Sequence, residues 1–258
     1  MRAAPLRALC LASLLLAGCA TAPKDPAERA RFRETNDPLE PLNRRIFAFN
    51  QVVDRSVIRP VAQAYVRVLP RPCRDTLRNF CANLGEPVIL ANDVLQGRLN
   101  RAAVTSARFL INSTAGFAGL ADIATPKGFV RQTGDFGQTL FVWGVPDGPY
   151  LVIPVLGPAN LRDAVGQGTD GYLDPFRYLG KEDHFPAWER YGPLIVGGID
   201  ERARNLDTLD AVEKDAVDYY ASLRSLFRQH RAAQIRGSAA PETGQPGLYD
   251  DPDTAPAR

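Results

Sequence analysis

Between Asp135 and Arg162 the chain runs for 26 residues with a single charge, Asp147. The stretch is rich in large apolar side chains, among them Phe136, Leu140, Phe141, Trp143, Tyr150, Leu151 and Ile153. It also holds Pro146, Pro149, Pro154 and Pro158 and four glycines. A helix crossing a bilayer needs ~20 apolar residues in unbroken helical geometry, and prolines at this density break such a helix. A water-facing surface would carry more charge. A second uncharged run, Phe109 to Ala121, poses the same problem. One reading buries both segments as core. The other sets part of their surface against lipid or another protein, since large exposed apolar patches mark such contacts. Irregular backbone at bilayer depth is tolerated where it is buried in protein or lines a cavity. The two readings combine in a small helical body with an apolar hairpin lining an internal passage.

Elsewhere the apolar pattern is helical. Ile46, Phe49, Val53 and Val57 recur at helical spacing. Cys73, Leu77, Cys81 and Leu84 form one stripe that Gly85 is expected to close, with Pro87 opening a new helix through Val88, Ala91 and Leu95. Asn100 is the expected N-cap of a helix through Val104, Ala107 and Ile111. Asp135 and Gln138 have capping-box spacing ahead of Thr139. Leu209, Val212, Ala216, Tyr219, Leu223 and Leu226 predict one long closing helix that ends near Gly237. Strand-like alternation is confined to residues 139–155, where Pro146-Asp147-Gly148-Pro149 marks a hairpin turn or a break between two helices. The fold class expected is all-α, as one domain over residues 36–236. The proline-rich acidic tail, 237–258, is expected to be disordered.

The N-terminus reads as an export signal. Arg2 and Arg7 precede an apolar run, and Leu16-Ala17-Gly18-Cys19 has the form of a bacterial lipobox. Residues 1–18 are then removed, Cys19 carries lipid, and 19–35 is a tether. Several acyl chains, at ~0.8 kcal/mol per buried methylene, would hold the protein at a membrane. Ala20, rather than aspartate, follows the cysteine, which favours the outer membrane. Cleavage takes Arg2 and Arg7 from the 31 basic residues and leaves 29 against 29 acids, so steering by net charge is not expected. Strongly basic nucleic-acid binders are excluded on the same ground. Cys73 and Cys81 remain. On one straight helix their Cα atoms stand ~12 Å apart, beyond the ~7 Å that a disulfide tolerates.

Catalytic patterns are thin. His184 and His230 are the two histidines, and His230 is expected on a solvated face near Arg228 and Arg231. Neither a Gly-x-Ser-x-Gly elbow nor a zinc-ligand spacing occurs, so no metal or cofactor is expected. Residues 166–171 match Gly-x-Gly-x-x-Gly by letter but lack the strand-to-helix context and are expected to form a loop.

The run Asn36-Asp37-Pro38-Leu39-Glu40-Pro41-Leu42-Asn43-Arg44-Arg45-Ile46-Phe47-Ala48-Phe49-Asn50 resembles the opening signature of the VacJ/MlaA family of outer-membrane lipoproteins. The similarity continues through Asn83-Leu84-Gly85-Glu86-Pro87, Arg108-Phe109-Leu110-Ile111-Asn112, Phe136-Gly137-Gln138-Thr139-Leu140, Gly148-Pro149-Tyr150 and Leu161-Arg162-Asp163. It covers roughly residues 36–236 and the lipobox. Pro41-Leu42 departs from the glycine and aromatic expected there, and neither the Cys73/Cys81 pair nor the acidic tail belongs to the pattern.

The resemblance implies a ring-like helical body in the inner leaflet of the outer membrane with a central amphipathic channel. It implies transport of misplaced phospholipids from the outer leaflet to a periplasmic lipid carrier, which serves an inner-membrane ABC transport system. It also implies a trimeric porin as partner, and no enzyme activity. Asn43 and Asn50 are expected to satisfy backbone groups, and Leu42 and Asn43 to lie on a gating helix. Phe136, Leu140, Phe141, Trp143, Tyr150, Leu151 and Ile153 are the expected lipid path. Arg162 and Asp163 are expected at a surface or helix-end contact. The competing reading is a structural, porin-associated lipoprotein that moves no lipid.

Overall fold

The computed structural model describes residues 37–178 and 187–239, together with Asp25 and Thr35. Cys19, the signal, His184 and the tail beyond 239 lie outside the described residues. The fold is all-α apart from one hairpin.

Helix α1 (Glu40–Val53) passes through a π turn (Asp54–Ile58) into α2 (Arg59–Val68). Pro60 explains the wide turn. It has no N–H for the regular ladder, and the Arg59 N–H reaches back to the carbonyl of Asp54 instead. Helix α3 (Arg71–Leu95) is a single element with Pro87 inside it. Gly85 therefore does not close a helix and Pro87 does not open one. A proline in a helix interior costs ~3 kcal/mol, so packing of α3 on its neighbours outweighs the local break. Cys73 and Cys81 share this helix as free thiols.

Helix α4 (Leu99–Thr114) is flanked by Arg98 rather than capped by Asn100, which lies in its first turn. A 3-10 turn (Thr125–Lys127) and a long loop lead to α5 (Phe136–Val142). Strands β1 (Tyr150–Ile153) and β2 (Gly157–Asn160) follow, paired antiparallel with Ile153 opposite Gly157. The chain reverses at Pro154-Val155-Leu156, so Pro146–Pro149 is the link between α5 and the hairpin and not its turn. Neither sequence alternative for Pro146–Pro149 is realised, since it joins a short helix to a strand whose hairpin turns eight residues later.

Helix α6 (Leu161–Leu173) absorbs the Gly166–Gly171 run, which is helical and not a loop. A 3-10 turn (Pro175–Arg177) precedes the undescribed gap. The C-terminal part is α7 (Ala187–Arg204), α8 (Leu206–Asp215) and α9 (Tyr219–Ala239). The single closing helix expected from residue 209 onward is thus two helices, broken where Ala216 turns extended.

Packing contacts form a closed circuit. Helix α1 meets β1, β2 meets α9, α9 meets α5, α5 meets α3, α3 meets α7, α7 meets α2, and α2 returns through the π turn to α1. Ion pairs tie the two ends of the chain, with Arg202 on Asp54 at 2.8 Å, Arg59 on Asp210 at 2.6 Å and Arg44 on Asp218 at 2.5 Å. Asp200 accepts from both Tyr65 and Arg78, and burial together with that carboxylate pushes the Tyr65 hydroxyl up to about 12.

The interior is unusual. Among the described residues sixteen polar or charged side chains are buried against nine apolar ones, and three of the nine are the tyrosines and valine of one small cluster, Tyr150, Val152 and Tyr220. Large apolar side chains stand outside on α1, α4, the hairpin turn and α7: Phe49, Val52, Leu99, Leu110, Leu156, Leu194 and Ile195 are each more than half exposed, as is Phe117 just after α4. No helix among the described residues is long and apolar enough to cross a membrane.

Candidate functional site

The hairpin is held on α1 by asparagine side chains acting as backbone. Asn43 Nδ2 donates to the carbonyl of Tyr150 at 3.0 Å, and Asn43 Oδ1 accepts from the Val152 N–H at 3.0 Å. Asn50 repeats the pattern on the carbonyl of Ile153 and the Val155 N–H. Seven helical residues rise ~10.5 Å and three strand residues ~10 Å. The two amides therefore fall in register with the free edge of β1. They satisfy polar groups that an unpaired strand edge would otherwise leave open. The asparagines bind backbone as the sequence reading holds, and the hairpin is what they bind.

Asn43 is itself fixed. Its Nδ2 also donates to Asp37 Oδ1 at 2.8 Å, and Asp37 Oδ2 accepts from the Tyr220 hydroxyl at 2.5 Å and from Arg224 at 2.6 Å. Burial, reinforced by Asp37, drives the Tyr220 hydroxyl far above its usual range, so it stays a donor. Tyr150 rises for the same first cause, burial. Phe47 packs edge-on against Tyr220 at 5.4 Å, and Tyr150 stands 6.2 Å from the same ring.

On the other side of the hairpin, Asp135 caps α5, accepting from the Gln138 N–H at 2.9 Å and from the Gln138 side chain at 3.1 Å. Asn160 caps α6, accepting from the Asp163 N–H. Arg231 of α9 bridges the two caps. Its guanidinium donates to both oxygens of Asp135 at 2.7 Å and to both oxygens of Asp163 at 2.8 Å. Burial would raise Asp135, but Arg231 holds its carboxyl below the usual range. Arg231 is buried, unlike exposed His230 beside it. Arg162 and Asp163 are buried too. Of the two expected placements, surface or helix end, the structure has the helix end, buried at the start of α6, where Arg162 pairs with Asp147 at 2.5 Å and stacks on Phe141.

Helices α5 and α6 cross on glycines. A Cβ on Gly166 would lie 2.4 Å from the Gly137 nitrogen, and one on Gly137 would lie 2.5 Å from Asp163 Oδ1. The first glycine of the apparent dinucleotide motif thus serves helix packing.

The expected lipid-path residues divide by exposure. Trp143 is 54% exposed and Phe141 37%, whereas Tyr150 is core at 4%. Phe136, Leu140, Leu151 and Ile153 are half-buried, and Phe136 packs edge-on to Trp143 at 5.7 Å. Along β1, Tyr150 and Val152 point inward while Leu151 and Ile153 keep surface. Leu42 is half-buried and Asn43 buried. A cleft of about 120 Å³ lies between hairpin and α9, lined by Tyr150, Asn160 and Phe227 among others. That is well below the ~300–1,000 Å³ of a drug-sized ligand pocket. Sequence reasoning missed Arg224 and Arg231, whose partners lie far away in the chain with no local signal to join them.

The family described as MlaA lipoprotein matches residues 35–234. The intermembrane phospholipid transport system lipoprotein MlaA of Escherichia coli is 35% identical over 92% of this chain and 91% of its own length. Its counterpart of the same description in Haemophilus influenzae is 32% identical over 93% and 94%. A solved structure described as the structural basis for maintenance of bacterial outer membrane lipid asymmetry superposes with TM-score 0.68 at 33% identity, over 77% of this chain and 98% of that one. With a family match over most of its length and an all-α fold shared with that structure, the chain belongs to the MlaA lipoprotein family.

Proposed function

We propose that this protein is an outer-membrane lipoprotein, held by acyl chains on Cys19, that conducts misplaced phospholipids through its ring toward the periplasm. The observation that carries the reading is the reversed sidedness of the fold, with polar groups inside and large apolar side chains around the outside. A water-soluble body of this size has the opposite arrangement. Such an exterior suits the hydrocarbon of one leaflet, and the buried polar and charged side chains suit charged headgroups.

A phospholipid crossing bare hydrocarbon loses solvation of its head, and one crossing water loses burial of its tails. A passage with polar and apolar walls lowers both costs and breaks no bond, so no catalytic group is required. A passive passage cannot set direction. Direction comes from a soluble carrier and the inner-membrane ABC transport system behind it. A trimeric porin is the natural membrane partner for part of the apolar rim. The relatives described as intermembrane phospholipid transport lipoproteins support phospholipid as the cargo.

The test is mass spectrometry of protein extracted in detergent. Phospholipid retained in addition to the acyl groups of Cys19 supports conduction. Protein carrying its own acyl groups alone points to the scaffold reading. Cys19→Ser should leave the protein unanchored, and normal outer-membrane levels of that variant would refute the anchor.

A further inference from the structure

The cleft of about 120 Å³ between the hairpin and α9 holds a buried hydroxyl without a partner. Tyr150 lines it and is 4% exposed. Its backbone is bonded to Asn43 and to β2, but its hydroxyl makes no hydrogen bond to the described residues. The oxygen keeps a trace of accessible surface, and the cleft is the space beside it. Burial keeps this hydroxyl protonated, so it is a donor. Buried polar groups of folded proteins are almost always paired. A donor left open is a place for an acceptor that a ligand brings.

Charges of both signs flank that donor. Arg228, at the exposed edge, donates to the Thr35 carbonyl and forms no ion pair with the described residues. Asp147 gives Oδ1 to Arg162 and leaves Oδ2 open. Arg162 and Arg231 are taken up by Asp147, Asp135 and Asp163. With Arg228, three guanidiniums therefore meet three carboxylates. A bare anion would upset this balance, and a ligand with one charge of each sign keeps it. A guanidinium and a phenol hydroxyl both donate to phosphate oxygens, and an open carboxylate oxygen accepts from an ammonium. Phe227 and Ile235 supply an apolar side. A water takes ~30 Å³ of liquid, so the cleft has the bulk of about four waters. That suits a phosphodiester with a short ammonium arm and leaves acyl chains outside.

We propose that this cleft receives the zwitterionic headgroup of a phospholipid, with its phosphate on Tyr150 and Arg228 and its ammonium on Asp147. The assignment rests on the conduction reading above and adds a headgroup preference and the residues that set it.

The test uses the full lipidated chain in detergent, exchanged against an equal mixture of phosphatidylethanolamine, which is zwitterionic, and phosphatidylglycerol, which is anionic. Retained lipid is read by mass spectrometry. Wild type should prefer phosphatidylethanolamine. Tyr150→Phe removes the hydroxyl alone and should lower retained phosphatidylethanolamine about tenfold, the scale of one hydrogen bond to a charged group. Because that hydroxyl bonds nothing in the fold, melting should be no lower than in wild type. Asp147→Asn keeps an oxygen for Arg162, removes the charge, and should abolish the preference over phosphatidylglycerol. Wild type that retains both lipids equally overturns the assignment and leaves conduction standing. So does Tyr150→Phe that binds as wild type does, or Asp147→Asn that keeps the preference. Glycerophosphoethanolamine bound as tightly as the lipid would show a site for the free phosphodiester and overturn the lipid source. Wild type that retains neither lipid overturns conduction itself, and this assignment with it.

Discussion

At the scale of single residues, stability rests on a few polar side chains that do backbone work. Asn43→Ala removes a donor and an acceptor from the edge of β1 and strips Asp37 of one partner. Leaving such buried groups open costs ~1–3 kcal/mol each, so a loss of about 2–4 kcal/mol is expected in a denaturant titration. Asn50→Ala, in a half-buried place, should cost less. Arg231→Met leaves buried Asp163 and part-exposed Asp135 without their cation; a fully buried pair costs ~3–5 kcal/mol to break, and solvent at Asp135 brings the expected loss to about 2–4 kcal/mol. The pH dependence has a definite sign. Asp135 is held below its unfolded value, so its contribution is present above about pH 4 and is lost as pH falls through the folded value. The gap between wild type and Arg231→Met should therefore narrow on acidification below about pH 4, as followed by melting temperature. These roles were only half legible. Asn43 and Asn50 stood out by motif, and the Asp135 cap by spacing. Arg231 could not be paired with Asp135, since nothing in the chain between them records their approach.

At the scale of elements, local signals located starts better than ends. Asp135 and Asn160 announce α5 and α6 because a capping carboxylate or amide acts within three residues. Gly85 and Pro87 suggested a break in α3, and tertiary packing overrode them. The hairpin turn was misplaced because Pro154-Val155-Leu156 lacks turn chemistry. Val155 adopts φ 68° there, a left-handed conformation that costs a β-branched residue ~1–2 kcal/mol. Val155→Gly should recover about 1 kcal/mol of that in a melt. The crossing of α5 on α6 supplies a sharper contrast within one helix. Gly166→Ala drives a methyl into backbone at Gly137 and should cost about 1–3 kcal/mol by overpacking. Gly168→Ala meets nothing within 4 Å and should stabilise by up to about 1 kcal/mol through helix propensity. A melt in which both variants behave alike would show that the two helices do not cross on glycine.

At the scale of the whole molecule, function depends on where apolar surface is put. The uncharged stretch after Asp135 allowed core or lipid contact, and the structure divides it by strand alternation. Tyr150 and Val152 belong to the core, while Leu151 and Ile153 keep surface. That division makes a decisive substitution possible, because the outer pair can be changed without emptying the inner one. Leu151→Asp with Ile153→Asp leaves the Asn43 and Asn50 bonds to β1 in place, since both asparagines bind backbone. The variant should keep its helical circular dichroism and its lipid anchor. A carboxylate pair on an apolar wall, however, repels acyl chains and binds water, since an ionised group in hydrocarbon is far costlier than a methylene. Retained phospholipid and outer-membrane lipid asymmetry should both fall to the level of a strain lacking the protein. Intact asymmetry in a folded double variant would mean that lipids pass elsewhere than along the hairpin.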